Sequence, residues 1–218
     1  MVVKESGGGE RVRPPDGLHK ARCICVVDLG THINQYVKDP KPQRKVLVQW
    51  ELPEELYEFT EENGEEPFIV SKEYTASLSE KANLRKDLES WRSKSFTKEE
   101  REGFDLKNLI GVACQLTLIT KTAKASGNER TEVSTIVPIG KKTKVPKQIT
   151  ESMYFVIGDG ADEEPGTEEE FDALLEWMQK KIQDSPEGSH YGQKKKVKEA
   201  VDEMTEEADE EAEDDLPF

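Results

Sequence analysis

The feature that most constrains this chain is a change in hydrophobic period, from two to between three and four and back to two, within residues 21–139. From Ala21 to Leu29, Cys23, Cys25 and Val27 alternate with Ile24 and Val26, which predicts a strand buried on both faces. From Lys45 to Leu52, Val46, Val48 and Trp50 alternate with Leu47 and Gln49, a second strand. From Pro67 to Thr75, Phe68, Val70, Lys72 and Tyr74 share one face of a third, with Ile69 and Ser71 on the other. The acidic stretch Glu54 to Glu66 is expected to be a connector.

The period then becomes helical. Leu84, Leu88 and Trp91 recur three and four residues apart, predicting a helix over about 80–92 capped by Ser79. Thr97 and Glu100 form a capping box for a short turn, and Asp105 caps another over 106–110 that stops at Gly111. Alternation returns over Val112–Thr122, with Val112, Cys114, Leu116 and Leu118 on one face, and again over Arg130–Ile139, pairing as a hairpin. Three strands, a helix and two strands is the connectivity of the OB-fold, a five-stranded barrel. A capping box at Thr167 and Glu170 predicts a further helix over 168–183, striped by Phe171, Leu174, Leu175, Met178 and Ile182. That stripe suits packing on the barrel or self-association into a homo-oligomer. The expected organisation is a flexible arm over 1–18, a mainly β OB-fold domain over 19–157, an acidic linker and helix over 158–192, and a disordered acidic tail over 193–218.

Charge is divided unevenly. Residues 1–150 carry 25 Lys+Arg against 23 Asp+Glu, while residues 151–218 carry 6 against 23. A near-neutral body tied to a strongly acidic end points to a nucleic-acid partner or a regulatory tail. Eleven of the twenty residues from Glu199 are acidic, and the run ends in Asp214-Asp215-Leu216-Pro217-Phe218. Leu216, Pro217 and Phe218 offer apolar surface that a partner can bury. No apolar stretch reaches the length of a membrane span and no signal-peptide core follows Met1, so a soluble protein with no membrane partner is expected. Cys23, Cys25 and Cys114 suit buried free thiols better than a disulfide or zinc site, even with His19 and His32 nearby in sequence. No phosphate-binding loop, Cys-x-x-Cys pair or nuclease-like carboxylate cluster is present, so neither catalysis nor a cofactor or metal is expected.

Binding a single nucleic-acid strand needs aromatic faces for bases and cations for phosphates. Trp50 and Tyr74 are the candidate platforms, with Phe68 and Trp91 weighed as core residues. Arg44, Lys45 and Lys72, then Lys121, Lys124 and Arg130 on the last hairpin, and Lys141, Lys142 and Lys144 after it, are the candidate cations. Arg85, Lys86, Arg92 and Lys94 on the central helix, and Lys147, are weaker ones.

The tip resembles the C-terminal peptide of bacterial single-stranded DNA-binding proteins. The stretch from Ala21 to Gly140 resembles phage-encoded single-stranded DNA-binding proteins with an OB-fold, through residues 45–52 (KVLVQWEL), 72–75 (KEYT), 84–92 (LRKDLESWR) and 104–111 (FDLKNLIG). The resemblance implies sequence-independent binding of single-stranded DNA during phage replication or recombination, in the cytoplasm of a bacterial host. It also implies recruitment of replication or recombination proteins through Asp214–Phe218. The competing expectation is a protein-interaction adaptor whose OB barrel binds no nucleic acid.

Overall fold

The computed structural model describes residues 12–35, 38–123, 127–140, 142–144, 147–158 and 164–193. Residues 1–11, the expected tail from 194 on with Asp214–Phe218, and Lys124 and Lys141 lie outside them. In chain order the elements are β1 (Gly17–Ile33), β2 (Pro42–Thr60), β3 (Gly64–Thr75), α1 (Asn83–Arg92), α2 (Lys98–Glu102), a 3-10 turn (Leu106–Leu109), β4 (Ala113–Thr122), β5 (Glu129–Pro138), β6 (Met153–Phe155), α3 (Glu168–Asp172) and α4 (Glu176–Gln183).

The protein is mainly β. Its strands form one six-stranded sheet in the order β3-β2-β1-β4-β5, with β6 added to β1. β1 and β4 are antiparallel, Gly17 facing Leu118 and Arg22 facing Ala113. β4 and β5 form the expected hairpin, with an irregularity in register at Thr117 and Leu118. The ladder runs as an open path, so the closed barrel expected from the connectivity is absent from the hydrogen bonding of the described residues.

Two compact units are present. The first holds the described residues within Met1–Val26 and Leu47–Tyr154, the second those within Val27–Val46 and Phe155–Phe218. β1 begins inside the expected arm, because Gly17 at φ +139 turns the chain into the sheet.

In the first unit the alternation predicted for β1, β3 and β4 is seen as burial. Cys23, Cys25, Val70, Tyr74, Cys114, Leu116 and Leu118 all point into the core. The three cysteines are free and buried. α1 brings Leu84, Leu88 and Trp91 to the same core, and Trp91 meets Trp50 with ring centroids 5.9 Å apart. Its indole Nε1 donates to the Ala113 carbonyl at 3.3 Å. The helix starts three residues later than expected. Ala82, not Ser79, is its N-cap, and no side chain caps it. The capping boxes at Thr97 and Thr167 are both present as expected, as is the Asp105 cap, whose side chain accepts from the Lys107 amide.

Two expectations are corrected. The acidic connector is a β-hairpin, since β2 continues to Thr60 and β3 resumes at Gly64. The turn is Glu61–Asn63, closed by Gly64 at φ +69, the left-handed position that a three-residue hairpin loop needs. The long helix is two short ones. Leu175 takes an extended conformation as the N-cap of α4, which turns its side chain outward while Leu174 stays buried. Gln179 Nε2 donates to the carbonyls of Asp172 and Leu174 at 3.1 and 2.9 Å, satisfying acceptors that the break orphans.

The core of the second unit is aromatic. Phe155, Phe171 and Tyr191 pack with centroids 5.1–6.1 Å apart, alongside Met178 and Ile182. Asp28 is its polar hub, accepting from the Gly30 and Ile157 amides and from Arg44. Among the described residues no helix is long and apolar enough to cross a membrane.

Candidate nucleic-acid interface

The β2–β3 hairpin builds the site. In a strand, alternate residues share a face, so Tyr57 and Phe59 project together from β2. Their centroids are 5.1 Å apart, and Phe68 of β3 meets them at 6.0 and 5.2 Å. Phe68 is buried, whereas Tyr57 and Phe59 are 40% and 46% exposed. A buried ring thus supports two exposed ones. Isolated exposed apolar residues are ordinary, but a contiguous patch is a sign of recognition.

This cluster borders a cleft of about 550 Å³. Phe59, Phe68 and Ile69 line one wall, Glu129, Arg130 and Thr131 at the start of β5 another, and Val12, Arg13 and Pro14 a third. Thr150 completes the lining. His19 holds the entry to β1 in place, its Nε2 donating to the Pro15 carbonyl at 2.8 Å and its Nδ1 lying 3.0 Å from Glu55.

Two cations, Arg13 and Arg130, and two carboxylates, Glu66 and Glu129, line the cleft. Arg13 pairs with Glu129 at 2.5 Å. Lys121 and Arg130 both pair with Glu132, again at 2.5 Å. Those contacts hold the Glu132 carboxyl below its usual pKa, the Lys121 hydrogen bond contributing most. The Arg130 side chain is still two-thirds exposed, so a phosphate can reach it without prior rearrangement of the fold. Lys142 and Lys144 are exposed on the segment after β5. Such surface pairs contribute little to stability and exchange readily for another anion.

The other expected residues lie elsewhere. Trp50 and Tyr74 are 1% and 4% exposed, so neither ring offers a face to a base. Their alternation with Val48 and Val70 carries them into the core. The Tyr74 hydroxyl donates to Asp87 at 2.8 Å, and burial pushes its pKa up. Lys72 donates to Asp87 at 2.7 Å and to the Val133 carbonyl at 3.0 Å, a packing role beneath the site. Arg44 forks onto Asp28 within the second unit, and Lys45 of the same unit donates to Gln43. The sequence reading missed Arg13, Tyr57, Phe59 and Ile69. The signal was the apolar alternation on either side of Asn63-Gly64, masked by seven glutamates between residues 54 and 66.

The described residues contain no group of three or more His, Cys, Asp or Glu placed to hold a metal ion. No family model and no curated protein sequence matches this chain.

Proposed function

We propose that the protein binds single-stranded DNA without sequence preference, through an OB-type barrel, in phage replication or recombination. The observation that carries this reading is the aromatic cleft on β2 and β3, lined also by Arg13 and Arg130. In OB-folds the face of strands 2 and 3 and the loop between strands 4 and 5 are the surfaces that take oligonucleotides. The strand order and the contact between β3 and β5, the two ends of the path, support the barrel, with Lys72 Nζ bonded to the Val133 carbonyl as one tie. Exposed rings stack on unpaired bases, which a duplex keeps hidden, so single strands are preferred.

In this reading Asp214–Phe218 recruits replication or recombination proteins. Phe218→Ala then weakens partner capture by about ten- to a hundred-fold, the loss of roughly 1.5–3 kcal/mol of buried phenyl, while DNA affinity is unchanged.

The adaptor reading is favoured by one observation, the pairing of Arg13, Lys121 and Arg130 with carboxylates inside an acidic chain. Anisotropy titrations with labelled single- and double-stranded oligonucleotides at several salt concentrations separate the two. Tighter binding to single strands, falling as salt rises, is expected. Equal affinity for both forms, or none for either, overturns DNA binding and leaves the adaptor.

A further inference from the structure

Among the described residues, both cations that line the cleft are held by carboxylates at the start of β5. Arg13 pairs with Glu129 at 2.5 Å, and Glu129 lines the cleft as well. Arg130 pairs with Glu132 at 2.5 Å. Register accounts for the second pairing. Arg130 faces Lys121 across the β4–β5 hairpin and Glu132 faces Ile119, so all four share one side of the sheet. Glu132 reaches Arg130 along its own strand and Lys121 on the diagonal. Each carboxylate oxygen takes one cation, Oε1 the Arg130 Nη2 and Oε2 the Lys121 Nζ. The two oxygens of Glu132 bridge the cations as two oxygens of a phosphate would.

These pairs are open to solvent and do little for stability. Their effect on a polyanion is larger. Paired and unpaired nucleic acid both present phosphates, so a cation with its charge free attracts either form. It attracts the duplex more, because a duplex releases about 0.9 condensed counterions per phosphate neutralised and a single strand about 0.7. Exposed rings act the other way, since stacking on them needs unpaired bases. Offsetting the cations while leaving Phe59 exposed therefore favours single strands over duplex.

We propose that Glu129 and Glu132 are specificity-determining residues that make the cleft select single strands. By offsetting Arg13, Arg130 and Lys121 they withhold the phosphate attraction that both forms of DNA share, and leave stacking on Phe59 to decide which form binds. This rests on the DNA-binding reading above, and it gives the carboxylate pairing a part in that reading. Overall affinity is lower than bare cations would give, and discrimination is higher.

The test compares the full chain with a double variant, Glu129→Gln and Glu132→Gln. Gln keeps the length of Glu and one acceptor oxygen, and removes the charge. Affinity for a single strand and for a duplex is read across a salt series. Two charges are unmasked, so the salt slope steepens by about 1.8 on duplex and about 1.4 on single strands. With the electrostatic contribution lost near 1 M salt, affinity at about 0.1 M rises roughly 60-fold for duplex and roughly 25-fold for single strands, and the preference for single strands falls about 2.5-fold. Glu132→Asp keeps the charge and restores the preference when it replaces Glu132→Gln beside an intact Glu129. Glu54→Gln removes a carboxylate that pairs with Lys20 and does not line the cleft, and so controls for net charge. A preference that stays the same or rises in the double variant, or that falls as far in Glu54→Gln, overturns the role while the DNA-binding reading stands. If the wild type binds neither form, that reading falls and the inference with it. Should the double variant fail to fold, Glu132→Gln alone carries the test, with slope changes of about 0.9 on duplex and about 0.7 on single strands. Equal changes on the two forms then overturn the role.

Discussion

Two aromatic trios in this molecule have nearly the same internal geometry and opposite exposure. Phe155, Phe171 and Tyr191 pack 5.1–6.1 Å apart and are all buried. Tyr57, Phe59 and Phe68 pack 5.1–6.0 Å apart, with only Phe68 buried. Ring-to-ring contact therefore does not separate a core from an exposed surface. What separates them is how much of each ring the remaining side chains cover. The first trio has Met178, Ile182 and Leu174 around it. The second faces a cleft lined on its far sides by charged and polar groups.

The comparison breaks if the two trios respond alike to truncation. Phe171→Ala is expected to have the largest effect, about 3–5 kcal/mol of lost stability, because it opens a cavity within a closed cluster. Denaturant unfolding measures it, and a loss below about 1 kcal/mol would remove this trio from the core. Phe59→Ala comes next and acts on a different quantity. Single-strand affinity falls by about 1–3 kcal/mol, the worth of one stacked base, while the unfolding midpoint barely moves. A large stability loss with unchanged DNA affinity would reverse the assignment of the two trios.

Smaller effects sharpen the contrast. Among the described residues each unit has one helix with a capping box, at Thr97 and at Thr167. Thr97→Ala and Thr167→Ala should each cost about 1 kcal/mol, and unequal losses would show that one of the short helices is held by packing alone. The smallest effect is one of pH. The Thr97 backbone amide, followed by Lys94 and Arg92, holds the Glu100 carboxyl at a pKa of about 2. A carboxyl whose folded pKa lies below its unfolded value stabilises the fold above the unfolded value and loses that contribution as pH falls toward the folded one. Acid titration by NMR should place the Glu100 midpoint near 2, and Thr97→Ala should leave it depressed, since the Thr97 amide, Lys94 and Arg92 all remain.

Much of the sheet was legible because a strand buried on one or both faces writes its burial in alternation. Cys23, Val70 and Leu116 all sit where a period of two puts them. The same rule also places two of the candidate platforms. Trp50 and Tyr74 looked like platforms because rings beside lysines suit nucleic acid, yet their place in the alternation already assigned them to the core. The exposed rings, Tyr57 and Phe59, lie on the part of β2 that leaves the core, where glutamates separate the apolar residues and composition suggests a loop. The break between α3 and α4 was hidden for another reason. Phe171, Leu174, Leu175 and Met178 fit one continuous stripe as well as two re-phased turns, and only the extended backbone at Leu175 distinguishes them.

The buried thiols of Cys23, Cys25 and Cys114 have a practical consequence. Desolvation pushes the Cys23 and Cys25 pKa values to about 12 and raises that of Cys114 as well. Thiolate is the reactive form, so all three are chemically silent while β1 and β4 stay paired. Alkylation can then proceed only through molecules that have transiently opened that pair, and its rate becomes a clock for such openings. The protein carries a built-in gauge of its own breathing, and a bound oligonucleotide that slows the clock at all three cysteines would report, without any label, that ligand and sheet are energetically linked.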